Sequence, residues 1–308
     1  MANDYQDNSN NRPPQKRGLK IAVIVLCVLS AAAIIGAVAA FVIPRLENKG
    51  SNATGSAAQG ATPDSPTEAE EPIPASYMID NVEVIAQTDL KAGCETYACT
   101  MLLNSLGFDV DEHTIADNYL NMHYITWDEN GNAFGPDMHS AFAGSAYAGW
   151  GVYAPSMAKS MNQYLSDQHS KLKAYDYKDI PLETLIKDYV SKGVPVMVWA
   201  TTDMEEPYVF DSWTVNYVDE NAEAEIGDTV DWYMHEHCLV LIGYDENEYY
   251  FADSAAGAVS HFDKELVKQR YEQMFSQCIV VKYQKAQRYS IKEKARCACL
   301  FLLPAGVV

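Results

Sequence analysis

HCLVLIGYDENEYYFAD, residues 237–253, is two apolar runs on either side of a polar turn at Asp245-Glu246-Asn247. Runs of Val, Ile, Leu, Tyr and Phe bounded by turn residues read as strands, so 237–244 and 248–253 are expected to form an antiparallel hairpin. His237 and Asp253 each stand eight residues from Asp245. That puts them opposite one another on one face, or within one register step of it. A carboxylate against imidazole Nδ1 fixes the tautomer and steadies the imidazolium, leaving Nε2 for chemistry. Taken alone, the same two residues also suit a surface ion pair on a hairpin.

Around this hairpin the sequence from Tyr77 to Tyr283 has a globular pattern. Cys94 to Leu106 places Cys94, Ala98, Met101, Leu102 and Leu106 on one helical face, with Gly107 as the stop. Residues 155–165 and 182–192 read as two more helices, the latter ended by Gly193. Strands are expected at 194–200, 237–244, 248–253 and 277–283. Helices first and strands later predict an α+β domain.

Gly93-Cys94-Glu95 is where a nucleophile could stand, although a cysteine opening a helix equally suits packing as a small hydrophobe. A cysteine opening a helix sits beside unpaired backbone N–H groups and the positive end of the dipole, which favours thiolate. A thiolate needs a base and the base an orienter, which His237 and Asp253 supply. Gln87, seven residues upstream, is a side-chain amide able to donate to a developing oxyanion. The domain's cysteines, Cys94, Cys99, Cys238 and Cys278, are too few for a dense disulfide framework. Cys94 and Cys99 do not face each other on a helix, so Cys94 is free to be a thiol.

These residues carry a resemblance. Gln87, Ala92-Gly93-Cys94-Glu95-Thr96, Met101 to Asn104, Gly107, then Glu236 to Asp245 and Phe251-Ala252-Asp253 resemble the papain-like cysteine peptidases of family 39, related to bacteriocin-processing peptidases. The closer similarity is to stand-alone exported members from Gram-positive bacteria. Gly151 to Pro155 and Gly193 to Trp199 also look familial. The resemblance implies a papain-like α+β fold with a helical half carrying the cysteine and an antiparallel half carrying His and Asp. It implies Cys94 as nucleophile, His237 as general base and acid, Asp253 as orienter and Gln87 as oxyanion donor, acting through an acyl-enzyme. Two positions depart from the family: Ser254 stands where relatives carry Pro, and Leu90-Lys91-Ala92 replaces a Pro-containing turn.

The chain has 308 residues and a formal net charge of −20. Basic residues cluster at its two ends, so residues 80–281 hold 10 Lys+Arg against 34 Asp+Glu. Such an acidic span is unsuited to nucleic acid, whose binding rests on clustered Lys and Arg. Residues 1–20 are polar. Residues 21–43 contain no charge and as a helix would reach about 34 Å, enough to cross a bilayer core of about 30 Å. Arg12, Lys16, Arg17 and Lys20 precede this segment and Arg45 and Lys49 follow it, so the amino end is expected in the cytoplasm and the domain outside. A cleaved signal peptide is the competing reading, with small residues at Ala37-Val38-Ala39; its usual core of ~7–15 residues is shorter. Residues 44–76 read as a disordered linker, 77–283 as the peptidase domain and 284–308 as a basic and then apolar tail.

The expected partners are a peptide or protein substrate and a membrane, with no cofactor and no metal. Three other chemistries compete on the same sequence. His235 and His237 would share a strand face and could grip a metal with one carboxylate. Asp128, Asn130 and Asn132 have calcium-loop spacing, but Ala133 and His139 replace the required Gly and Glu. The sequence shows no GxxxxGK phosphate loop, so a peptidase fused to an exporter ATPase is not expected. An inactive peptidase fold used for binding and a cell-wall amidase with the same nucleophile remain as alternatives. A cationic peptide is the substrate that the acidic charge would favour.

Overall fold

The computed structural model describes residues 72–284. In chain order its elements are β1 (Tyr77–Met78), α1 (Cys94–Ser105), α2 (Glu112–Asn118), β2 (Met122–His123), β3 (Thr126–Trp127), β4 (Ala133–Pro136), β5 (Phe142–Ser145) and β6 (Ala148–Gly149). Then come α3 (Ala154–Asp167), β7 (Leu172–Tyr177), α4 (Leu182–Asp188), β8 (Val196–Thr201), β9 (Tyr208–Tyr217), β10 (Thr229–Met234), β11 (Glu236–Tyr244), β12 (Glu248–Asp253), β13 (Ala258–Asp263), α5 (Lys264–Gln273) and β14 (Cys278–Tyr283).

The main sheet runs β13-β12-β11-β8-β14-β7, with β1 also paired to β11. All its pairings are antiparallel. β11 is occupied along both edges, by β12 on one side and by β8 and β1 on the other. Smaller sheets, β10-β9-β4-β3 and β2-β5-β6, flank it. The mixed α+β class agrees with expectation, but helices and strands interleave more than the sequence implied. Three expected helices and four expected strands are found within a few residues of their predicted bounds. One is shorter: α4 stops at Asp188, and a separate 3-10 turn, Val190–Lys192, follows Tyr189.

Helix α1 differs from the one-faced helix expected. Every residue from Cys94 to Leu103 is buried, because α1 packs against β11, β8 and β12 while also facing α2. A helix enclosed all round cannot display an amphipathic stripe. Its last turn closes as predicted, with Gly107 N–H donating to Asn104 O at 3.0 Å and Phe108 N–H to Leu103 O at 3.3 Å.

The segment at 21–43, the linker to residue 71 and the tail beyond 284 lie outside the described residues. Among the described residues no helix is long and apolar enough to cross a membrane.

Candidate active site

The segment leading into α1 is pinned from three directions. Gln87 N–H donates to Ser254 O at 2.8 Å, Thr88 N–H to Tyr97 Oη at 3.2 Å and Ala92 N–H to Ala146 O at 2.9 Å. Gly93 is required sterically: a Cβ there would stand 2.7 Å from Leu90 Cβ. Cys94 is thereby fixed as the first residue of α1, where first-turn N–H groups have no intrahelical acceptor.

From the opposite side β11 presents His237. Its Nε2 meets Asp253 Oδ1 at 2.9 Å, with both side chains about 95% or more enclosed. This corrects the expected ring assignment: Nε2, not Nδ1, faces the carboxylate, and Nδ1 has no hydrogen-bond partner among the described residues. The register is also corrected. Val240 pairs with Ala252 and Leu241 with Phe251, and a bulge lies between Leu241 and Gly243. Continued, that register sets Asp253 opposite Leu239, two positions from His237. The turn is centred past Asp245, which moves the partners apart, while alternation keeps both on one face. The contact is therefore diagonal.

Asp253 is well supplied with donors. Oδ1 also accepts from Ala255 N–H at 3.0 Å and Ala256 N–H at 3.3 Å, and Oδ2 from Ser260 Oγ at 2.8 Å. Burial opposes its ionisation, but the hydrogen bond and charge of His237, with Ser260 and Ala256, hold its pKa below the ordinary value. Ser254, the departure from the family pattern, is buried and joins Asp253 to Gln87: its carbonyl takes the Gln87 N–H, and its Oγ donates to Gln87 Oε1 at 3.3 Å.

Cys94, His237 and Gln87 line one cleft of about 410 Å³ together with Trp150, Trp232 and Glu236. All four expected site residues are thus brought together, with two further departures. Gln87 Nε2 is taken up by its own loop, donating to Leu90 O at 2.8 Å and Lys91 O at 3.3 Å. Cys94 Sγ donates to Glu95 Oε2 at 3.3 Å, and no hydrogen bond joins it to His237. Burial first, then the Glu95 and Glu236 carboxylates, push the Cys94 thiol well above its ordinary pKa. The expected lowering at the helix start is outweighed, because the sulfur is enclosed beside two acids.

The metal alternative is not assembled. His235 takes a φ of 72°, breaks the strand between β10 and β11, and turns out to Glu205 at 3.2 Å while His237 stays buried. Asp128 is a turn centre, its carboxylate accepting from Asn130 N–H and Asn132 N–H at 2.9 Å each and from Asn132 Nδ2 at 2.8 Å. Cys94, Cys99, Cys238 and Cys278 are all free thiols.

With this geometry in hand, comparison with known proteins is decisive at one level. The model of the Peptidase_C39 like family matches residues 79–279. The chain belongs to the Peptidase_C39 like family. A crystal structure of a Bacillus anthracis protein assigned as a C39-like peptidase is 26% identical, with a TM-score of 0.56, covering 68% of this chain and 98% of that one. The uncharacterized protein YvpB of Bacillus subtilis (strain 168) is 25% identical over 191 residues, 61% of this chain and 68% of its own length. The match spans every site residue of this C39-like domain, from Gln87 to Asp253.

Glu236 is the residue that sequence reasoning missed. It lies 141 positions from Glu95, and only the packing of α1 on β11 makes them neighbours. Trp232 was missed as well; its indole Nε1 is enclosed without a partner at the cleft wall.

Proposed function

We propose that the chain is a cysteine peptidase, anchored in a membrane by residues 21–43 with its domain outside the cell, that hydrolyses peptide bonds through a Cys94 acyl-enzyme. The observation that carries this reading is the His237–Asp253 pair sharing one cleft with a cysteine at a helix N-terminus. Family membership supports the reaction class. The uncharged segment 21–43 with its basic amino flank supports the anchor.

With Nε2 held by Asp253, Nδ1 is the nitrogen that serves the cleft. Cys94 Sγ first turns from Glu95 towards it. His237 then takes the thiol proton as sulfur attacks the amide carbonyl carbon. The Cys94 N–H stabilises the oxyanion, joined by Gln87 once its longer bond to Lys91 O is released. The C–N bond breaks as the imidazolium protonates the leaving amine. Water then gives a proton to the same nitrogen and attacks the thioester, the acid leaves, and sulfur recovers its proton. Asp253 stays ionised throughout and stabilises the imidazolium.

A second reading, an inactive fold used for binding, is favoured by one observation: Cys94 is engaged by Glu95 and not by His237. One experiment separates them. A membrane-impermeant thiol reagent applied at pH 6 to intact cells carrying the full chain is expected to label Cys94 at least ~10-fold faster than an ordinary exposed thiol, and His237→Ala to abolish the excess. Labelling only after lysis overturns the external location. An ordinary rate that His237→Ala leaves unchanged overturns the activated nucleophile.

A further inference from the structure

Two buried carboxylates adjoin the nucleophile, and neither belongs to the expected catalytic set. Glu95 Oε1 accepts from Val152 N–H at 2.7 Å, and its Oε2 takes the Cys94 thiol. Glu236, immediately before His237, brings in the second. One carboxylate oxygen from each, together with Cys94 Sγ, lie within 4.8 Å of one another. Glu236 Oε1 is enclosed and has no hydrogen-bond partner.

The backbone opposite is shaped to admit them. A Cβ on Gly151 would stand 2.8 Å from Glu95 Oε1 and 3.1 Å from Glu236 Oε2, so any larger residue there would displace the acids. Among the described residues neither carboxylate has a salt bridge to Lys, Arg or His. The titratable groups around the pair are Cys94 from α1, His237 and Cys238 from β11 and Tyr153 ahead of α3. Lys91 lines the same cleft but spends its ammonium on Thr88 O. His237 is committed to Asp253.

Two enclosed carboxylates this close, without a cation, cannot both be ionised. Burial holds Glu95 at about 7, and burial with the Glu95 charge raises Glu236 well above the carboxylate range. The two therefore titrate as a pair that keeps at least one proton at neutral pH.

We propose that Glu95 and Glu236 form a proton-sharing pair that acts as a catch on Cys94, holding it as a neutral thiol when Glu95 is ionised and releasing it to His237 when Glu95 is protonated. Ionised Glu95 is a strong acceptor for the thiol proton and a repulsive neighbour for a thiolate. Protonation removes both effects, so the sulfur rotates to Nδ1 and transfers its proton there. Glu236 acts through Glu95, as a positioning residue. The proposal rests on Cys94 being the nucleophile, and it makes the peptidase more active as pH falls through neutral.

The test is the alkylation rate of Cys94 by iodoacetamide from pH 5 to 9, on the full chain in detergent. An ordinary thiol reacts faster as pH rises. The catch predicts the reverse: a fall of about tenfold per unit above neutral, set by one proton on the pair. Glu95→Gln, neutral at every pH, is expected to remove that fall and react at least ~10-fold faster than wild type at pH 8.5. A wild-type rate rising with pH, or a Glu95→Gln profile that keeps the wild-type fall, overturns the proposal. Should Glu95→Gln fail to fold, infrared difference spectra of wild type decide, since the protonated-carboxyl band must titrate together with the rate. Peptide acylation is scored in parallel. Its absence at every pH, with the alkylation profile intact, removes the peptidase reading and leaves the acid pair standing.

Discussion

Asp253 shows how much of the site depends on a single charge. Its Oδ1 takes His237 Nε2 and two backbone N–H groups, and its Oδ2 takes the Ser260 hydroxyl. Asparagine at this position keeps the shape: its carbonyl oxygen serves the Oδ1 donors, and its amide donates to the Ser260 oxygen. The negative charge that the proposed mechanism uses to steady the imidazolium is what disappears. Asp253→Asn is therefore expected to fold normally and to lower kcat by about 10²- to 10⁴-fold with a much smaller change in KM. Steady-state kinetics on a cleaved peptide check this, and activity within twofold of wild type would mean that Asp253 only packs the hairpin. The same prediction shows what was legible in the sequence. His237 and Asp253 could be paired because two apolar runs around Asp245-Glu246-Asn247 already define a hairpin. The ring nitrogen could not be read, because it depends on a diagonal contact set by the turn centre and the bulge near Ile242.

Helix α1 depends on its first turn in the same way. The chain reaches Cys94 through a backbone so close to Leu90 that only glycine fits, since a Cβ on Gly93 would meet Leu90 Cβ at 2.7 Å and Leu90 O at 3.2 Å. Neither is the far end of a flexible side chain, so the backbone has to move. Gly93→Ala is expected to cost about 1–3 kcal/mol in denaturant unfolding with an unchanged m-value, and to slow Cys94 alkylation by displacing the sulfur from the cleft. An unchanged midpoint would show that the loop yields freely. The ends of α1 were legible, because Gly93 and Gly107 flank an apolar run. Its complete burial was not: Glu95, Thr96 and Thr100 look like a solvent face, and only docking against β11, β8 and β12 encloses them. Thr96 and Thr100 keep hydroxyls without partners as a result. The short strands β2 to β6 were unreadable for a related reason. At two to four residues each, they are too short to show alternation and are held by neighbours distant in sequence.

Across the whole molecule, the acid pair makes folding stability depend on pH in a direction opposite to that of Asp253. Unfolded Glu95 ionises near its ordinary 4.5 and folded Glu95 near 7, so between those values the folded state binds more protons. Stability then falls as pH rises through that window, and the penalty is fully present above about 7. The shift corresponds to a loss on the order of 3 kcal/mol. Asp253 and Asp137, whose pKa values are lowered in the fold, contribute stability that is lost only as pH falls below the ordinary carboxylate range. The acidic surface adds a third trend, because a domain with 34 acids against 10 bases in residues 80–281 repels itself more as pH rises. Salt separates the two alkaline effects: at 1 M the screening length is about 3 Å, which suppresses surface repulsion but leaves an enclosed pair untouched. In high salt, wild type is expected to lose stability between pH 5 and pH 8 and Glu95→Gln to lose less, because Glu236 is then the one enclosed acid that keeps a proton the unfolded chain gives up. Chemical denaturation at both pH values measures the difference. Equal losses in the two proteins would mean that Glu95 is ionised in the fold at little cost, and the enclosed Glu236 alone would then account for the trend that survives in salt.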